Sequence, residues 1–187
     1  MTSPLRRTAS LAIVPALVFA LGACSSSTDS NGGASASASA SESASASASF
    51  VTTDLKATDV KVSGAAASLT AEFPHPAQAQ TLSTTDLKVG KAAKAKTGDT
   101  LTVNYYLASG LTGQKIEASF GSAPQTFKLE AGGLIPGWVK GVPGMQVGGR
   151  RVLVVPGADA YAENPPPGSG IQPNETLVFV VDLVGIA

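Results

Sequence analysis

Apolar and polar residues alternate in two well-separated blocks of this 187-residue chain. In Thr100 to Leu107, Leu101, Val103, Tyr105 and Leu107 recur at every second position; in Thr176 to Val184, Leu177, Phe179, Val181 and Leu183 do the same. A period of two puts each set on one face of a strand. Lys115 to Phe120 is a shorter candidate, and Phe127 and Leu129 alternate around Lys128. Arg150 to Val155 is nearly all apolar after its two arginines, as in a strand covered on both faces. Val60 and Val62, then Leu69, Ala71 and Phe73, suggest two further short strands closed by Pro74-His75-Pro76. Ser109-Gly110, Thr112-Gly113, Gly132-Gly133, Gly148-Gly149 and Pro156-Gly157 mark the turns between these runs.

Helical spacing stands out in one stretch. Ile135, Trp138, Val142 and Met145 fall on a single helical face. Pro136 suits the first helical position, where its missing amide hydrogen would be unpaired anyway. Gly141 weakens the helix and Pro143-Gly144 stops it. About two turns are too few for a stable isolated helix, so a sheet must hold it. The reading is an α+β domain over residues 82–187, with a mainly antiparallel sheet and a single core. The helix carries the only tryptophan, Trp138, which reads as the floor of a pocket lined by the sheet. Ala162 to Asn174, with four prolines and two glycines, cannot pair regularly and is read as a long loop.

The N-terminal third reads differently. Arg6 and Arg7 precede an apolar run from Leu11 to Leu21, too short to span a bilayer as a stable helix. Residues 1–23 are therefore read as a signal peptide. Leu21-Gly22-Ala23-Cys24 resembles the bacterial lipobox, in which Cys24 receives a lipid and becomes the mature N-terminus. Membrane attachment through that anchor, on the outer face of the bacterial cell membrane, is the expectation. Residues 24–49 are mostly alternating Ser and Ala and have almost nothing to bury, which predicts a disordered tether. A coil of about 25 residues spans roughly 25–30 Å. Residues 50–81 are expected to form a β extension that adds a strand or covers an edge, leaving 82–187 able to fold alone as a monomer.

Charge and chemistry narrow the function. Without residues 1–23 the chain keeps 11 basic against 13 acidic residues, with no basic patch, so nucleic acid is not an expected partner. Lys88, Lys91, Lys94 and Lys96 read as a solvated cluster. Cys24 is the only cysteine, so no internal disulfide can form; His75, the only histidine, sits between prolines in an expected loop, has no second histidine or cysteine with which to share a metal, and reads as solvated rather than catalytic. No Gly-x-Ser-x-Gly, His-Glu-x-x-His or phosphate-loop spacing is present. What remains is apolar and aromatic: Tyr105, Phe127, Ile135, Trp138, Tyr161 and Phe179.

Residues 98–107 (Gly-Asp-Thr-Leu-Thr-Val-Asn-Tyr-Tyr-Leu), 127–138 (Phe-Lys-Leu-Glu-Ala-Gly-Gly-Leu-Ile-Pro-Gly-Trp), 141–155 and 173–183 carry a specific resemblance. In order and spacing they are similar to the FKBP-type peptidyl-prolyl cis-trans isomerases, over essentially all of 82–187; residues 50–80 resemble only extensions of some bacterial lipoprotein members. The resemblance implies a bent antiparallel half-barrel of about five strands over one short helix, with the ligand pocket between them. It implies that Trp138 is the pocket floor, lined by Tyr105, Phe127, Leu134, Ile135, Tyr161 and Phe179. The Ile135 amide and the Tyr161 hydroxyl would donate to ligand carbonyls, and Glu117 falls where the family usually has aspartate. Ile116 stands where phenylalanine is usual and Gln125 where many members have another aromatic; both thin the expected aromatic wall. Asn164-Pro165-Pro166-Pro167-Gly168 replaces the usual glycine-rich run of the substrate-contacting loop. The implied ligands are proline-containing polypeptides and macrolides such as rapamycin, with no metal or cofactor.

The residue inventory suits that chemistry. Resonance keeps an X-Pro bond planar, and isomerisation takes tens to hundreds of seconds unaided. The twisted transition state is less dipolar than the planar amide, so a dry apolar pocket favours it. Raising a rate from about 10⁻² to about 10² s⁻¹ takes only about 5–6 kcal/mol, which binding of a twisted conformer can supply. Two readings follow: an exported isomerase, or a non-catalytic module that holds proline-containing partners in the same groove.

Overall fold

Two long strands of alternating sequence form the centre of the main sheet, and every other element is placed by them. The computed structural model describes residues 53–187; the expected leader, Cys24 and the expected tether lie outside the described residues. In chain order the elements are β1 (Thr53–Asp54), β2 (Lys61–Ser63), β3 (Thr70–Glu72), β4 (Ala77–Gln78), β5 (Ser83–Lys88), β6 (Thr100–Ser109), β7 (Lys115–Ala118), β8 (Gln125–Lys128), α1 (Pro136–Gly141), β9 (Arg150–Val155) and β10 (Leu177–Ile186). The six-stranded sheet runs β5-β9-β10-β6-β7, with β8 also paired to β6. All its pairs are antiparallel. Ten-residue β6 serves two partners on one side: Thr100 to Val103 pair with β8, and Tyr106 to Ala108 with β7. Register shifts in β5, β10 and the β6–β7 pair bend the sheet. This is the bent antiparallel sheet over one short helix that the resemblance implies.

Alternation sorts side chains onto two faces. On the concave face Leu101, Val103 and Leu107 of β6, Leu153 and Val155 of β9, and Leu177, Phe179, Val181 and Leu183 of β10 pack with Trp138, Val142 and Met145. On the convex face Tyr106, Ala108, Val152, Val154, Val178 and Val180 form a second core. The apolar run in β9 is thus explained, since its side chains are buried on both sides.

The second core is completed by Leu55, Ala57, Val60, Leu69, Ala71, Phe73, Ala77 and Ala79. This corrects the expectation that the extension adds a strand, while its turn at Ala57 does meet edge strand β5, the Ala57 amide donating to Ser83 Oγ at 2.6 Å. Its strands join no edge of the main sheet: β1 pairs β4 in parallel and β2 pairs β3, each as a separate two-stranded piece. The extension lies across a whole face, and a division at residue 82 cuts through a shared core. Strand β5 is also absent from the sequence reading. Ser83-Thr84-Thr85-Asp86-Leu87-Lys88 has no apolar alternation because it is an edge strand with a mostly exposed surface. Lys88, Lys91, Lys94 and Lys96 are all exposed, as a solvated cluster should be. Among the described residues no helix is long and apolar enough to cross a membrane.

Candidate active site

Helix α1 is six residues long and needs external support. Pro136 occupies its first turn, and the Ile135 carbonyl accepts the Trp138 and Val139 amides at 3.0 and 3.4 Å. At the other end Arg151 of β9 donates to the carbonyls of Gly141 and Pro143 at 2.8 and 3.3 Å. A cation there also answers the negative end of the helix dipole. Asp86 of β5 holds the same guanidinium with two bonds of 2.7 and 2.9 Å. Gly137 and Gly141, four residues apart, face β9. A Cβ on Gly137 would lie 2.4 Å from Val155 Cγ1, and one on Gly141 2.7 Å from Leu153 Cδ2. The sequence reading took Gly141 as a weakness; the structure shows that it lets the helix sit directly on the sheet.

Pressed down in this way, Trp138 is 4% exposed and lies beneath a cleft of about 540 Å³. Three rings meet it edge-on: Phe179 at 5.6 Å and 86°, Phe127 at 5.8 Å and 74°, Tyr105 at 6.1 Å and 85°. Tyr105 and Phe127 also contact each other at 6.2 Å. Edge-to-face geometry of this kind fixes ring positions as well as burying area. Leu134, Ile135, Tyr161 and Glu117 complete the wall, so residues from β6, β7, β8, α1, β10 and two loops converge.

Tyr161 is positioned by a tight turn. Lys140 of α1 pairs with Asp159 at 2.6 Å, and the Ala162 amide donates to Gly157 O at 2.9 Å. Gly157 packs so closely on the Asn174 backbone that a Cβ would lie 2.2 Å from its oxygen. Among the described residues no hydrogen bond occupies the Tyr161 hydroxyl. Burial raises the pKa of both Tyr105 and Tyr161. Glu117 raises them further, through a hydrogen bond and its charge at Tyr105 and through its charge at Tyr161. Both phenols therefore stay protonated at neutral pH, and the Tyr161 hydroxyl can donate to a ligand carbonyl.

Of the residues expected at the pocket, Ile116 is the exception. It falls in the β6–β7 irregularity, where Leu107 pairs Glu117 and Ala108 pairs Lys115, leaving Ile116 unpaired. Glu117 faces the cleft, while Ile116 packs on the core and lines a neighbouring hollow. Gln125 is exposed and donates to the Ala123 carbonyl. His75 is exposed, as a loop histidine should be; its Nδ1–H donates to Phe73 O at 3.1 Å and its ring lies against Gly113, away from the cleft lining. Gly132, Gly133, Pro136 and Ala160 also line the cleft. Sequence reasoning missed them as site residues, because glycine pairs signal turns and Pro136 a helix start.

Residues 91–184 match the family model of the FKBP-type peptidyl-prolyl cis-trans isomerases. The chain is 40% identical over 116 residues to an FK506-binding protein of Streptomyces anulatus, covering 62% of this chain and 94% of that one. A crystal structure of a peptidyl-prolyl cis-trans isomerase from Pseudomonas syringae superimposes with a TM-score of 0.51 at 26% identity, over 57% of this chain and 75% of that one. The crystal structure of FkpA from Escherichia coli gives a TM-score of 0.50 at 36% identity, over 56% of this chain and 47% of that one. With an aromatic cleft floored by Trp138 and this match over half its length, the chain belongs to the FKBP-type peptidyl-prolyl cis-trans isomerase family.

Proposed function

We propose that this isomerase acts on prolyl bonds of exported or cell-surface polypeptides while anchored by a lipid on Cys24 to the outer face of a bacterial cell membrane. The observation that carries the catalytic half is the cage around Trp138, where three rings meet the indole edge-on. A prolyl ring seated on that floor leaves water. The Tyr161 hydroxyl and the Ile135 amide are the donors proposed for the flanking carbonyls. Fixing those carbonyls while the apolar floor disfavours the planar, more dipolar amide lowers the barrier to twisting without a bond being made or broken. The name of the Streptomyces anulatus relative, an FK506-binding protein, supports macrolide binding in the same cleft, and rapamycin is the macrolide proposed to inhibit this chain.

Export and anchoring rest on the sequence: the basic and apolar leader, Leu21-Gly22-Ala23-Cys24, and the Ser/Ala tether behind it. The second reading, a module that holds prolyl segments without turning them over, draws on Ile116 lying outside the cleft and Gln125 being exposed. A prolyl-peptide isomerisation assay with and without rapamycin separates the two. Turnover suppressed by the macrolide supports the enzyme; peptide binding without turnover supports the holding module. For the anchor, Cys24→Ser should abolish lipidation and leave uncleaved or released protein. A mature-sized mutant that stays on the membrane would refute it.

A further inference from the structure

Beside the aromatic cleft lies a second hollow of about 440 Å³ that the chemistry above leaves unused. The β6–β7 turn forms one wall, with Leu111 and Lys115, and the proline-rich loop forms the other, with Ser169 and Gln172. The two hollows adjoin along β7, since Ile116 lines one and its neighbour Glu117 the other. The segment that begins at Tyr161 borders both.

The base of this hollow is rigid and satisfied. The buried Ser109 hydroxyl donates to the buried Glu175 carboxylate, whose second oxygen accepts the Gln172 amide at 2.7 Å. The Gly110 amide donates to Thr176 O at 2.9 Å, tying the walls together. The extension holds both from behind: Ala77 N–H donates to Gly110 O at 2.9 Å and Ala79 N–H to Thr176 Oγ1 at 2.8 Å. The rim is the opposite. Leu111 is 42% exposed, and Lys115 is exposed and in no ion pair among the described residues. Both oxygens of Glu175 being engaged, Lys115 is the charge this hollow offers to a ligand. Walls fixed at their base, with an apolar and a cationic group unpartnered at the rim, are preorganised to receive an extended chain.

We propose that this hollow is a substrate subsite: it takes the polypeptide on one side of the isomerised prolyl bond, with an apolar residue against Leu111 and Ile116 and an acidic residue facing Lys115. The proposal rests on the cleft being the seat of the prolyl ring. An extended chain advances about 3.3 Å per residue, so the residues concerned lie a few positions from the proline. Short peptides would fill the cleft alone, and client choice would come from the hollow.

The test uses the full chain in detergent and three peptides. One is a tetrapeptide with a single prolyl bond; the others carry four added residues, including Leu and Glu, before or after it. Binding is read from the fluorescence of Trp138, the only tryptophan, and isomerisation is followed in parallel. One of the two lengthened peptides should bind about tenfold tighter than the tetrapeptide, the order expected for burying one leucine. Replacing its Glu by Lys should weaken binding about threefold, and Lys115→Glu should reverse that order. Leu111→Ser should shrink the gain from lengthening. Both altered residues are exposed, so the fold is not at stake. Equal affinity for all three peptides, or a gain that neither substitution changes, overturns the subsite. A tetrapeptide that is bound but not turned over would instead sink the isomerase reading, because affinity is measured separately.

Discussion

The two faces of the main sheet are covered in unequal ways, and the function lies on the one covered less. On the convex face the extension from Leu55 to Ala79 packs against Tyr106, Val152, Val154, Val178 and Val180. Four of its eight buried apolar residues are alanines, which let the chain lie close. On the concave face the cover is a helix of six residues, about 9 Å long, whereas ten-residue β6 and β10 each run about 33 Å. The helix ends before the face does, and the uncovered part, walled by loops and floored by Trp138, is the cleft. A binding site here is a deliberate deficit of core.

Removing residues 1–81 should have the largest effect on that contrast. It uncovers four valines with no exposed surface and Tyr106, each stabilising by about 1.5–3 kcal/mol when fully buried, against about 5–15 kcal/mol for a whole domain. Thermal melting of the truncated chain should show no cooperative transition; an unchanged melt would mean that the convex cover is dispensable. Next in size is Trp138→Ala, expected to cost about 3–5 kcal/mol and to abolish isomerase activity. Leu55→Ala, on the other face, should cost about 2–5 kcal/mol yet leave kcat/KM of the folded fraction intact. If both lose activity in proportion to stability, the faces do not divide the labour.

Gly137→Ala sharpens the comparison at the helix seat. Helix propensity alone predicts a gain of about 1 kcal/mol, while the Cβ at 2.4 Å from Val155 predicts overpacking of about 1–3 kcal/mol. Net destabilisation with weaker macrolide binding is expected, because the floor is lifted. The smallest effect is Tyr161→Phe, a loss of about 0.5–1.5 kcal/mol in ligand affinity, measured by calorimetry, with stability unchanged. The pH dependence follows from the two phenols. Their folded pKa values are raised, so the protonated form is favoured in the folded state. Their stabilisation is complete below the unfolded value of about 10 and is lost as pH rises through the folded value. Ligand affinity should therefore be flat between about pH 6 and 9, and a titration in that range would point to another group.

Much of the concave face was legible in the sequence. Period-two alternation placed Leu101, Val103, Tyr105 and Leu107 with Leu177, Phe179, Val181 and Leu183, and 3.6-residue spacing placed Trp138, Val142 and Met145 against them. The aromatic inventory singled out Tyr161 and resemblance of motifs added Glu117, neither of which periodicity could supply, because a loop and a strand edge have no repeating signature. The resemblance put Ile116 at the pocket; in the structure it is unpaired at an irregular pairing and lines the adjoining hollow, a placement that alternation cannot foretell because the period of two breaks there.

By itself, the sequence determined which side chains share a strand or helix face, where the chain turns, and that one short helix carries the only tryptophan. These depend on near neighbours, and local geometry repeats. Only the tertiary structure decided that Gly137 and Gly141 are contact points, that Arg151 caps the helix from β9, and that residues 55–79 close the convex face. Each of these joins groups distant in the chain, and no local pattern records a distance between two faces.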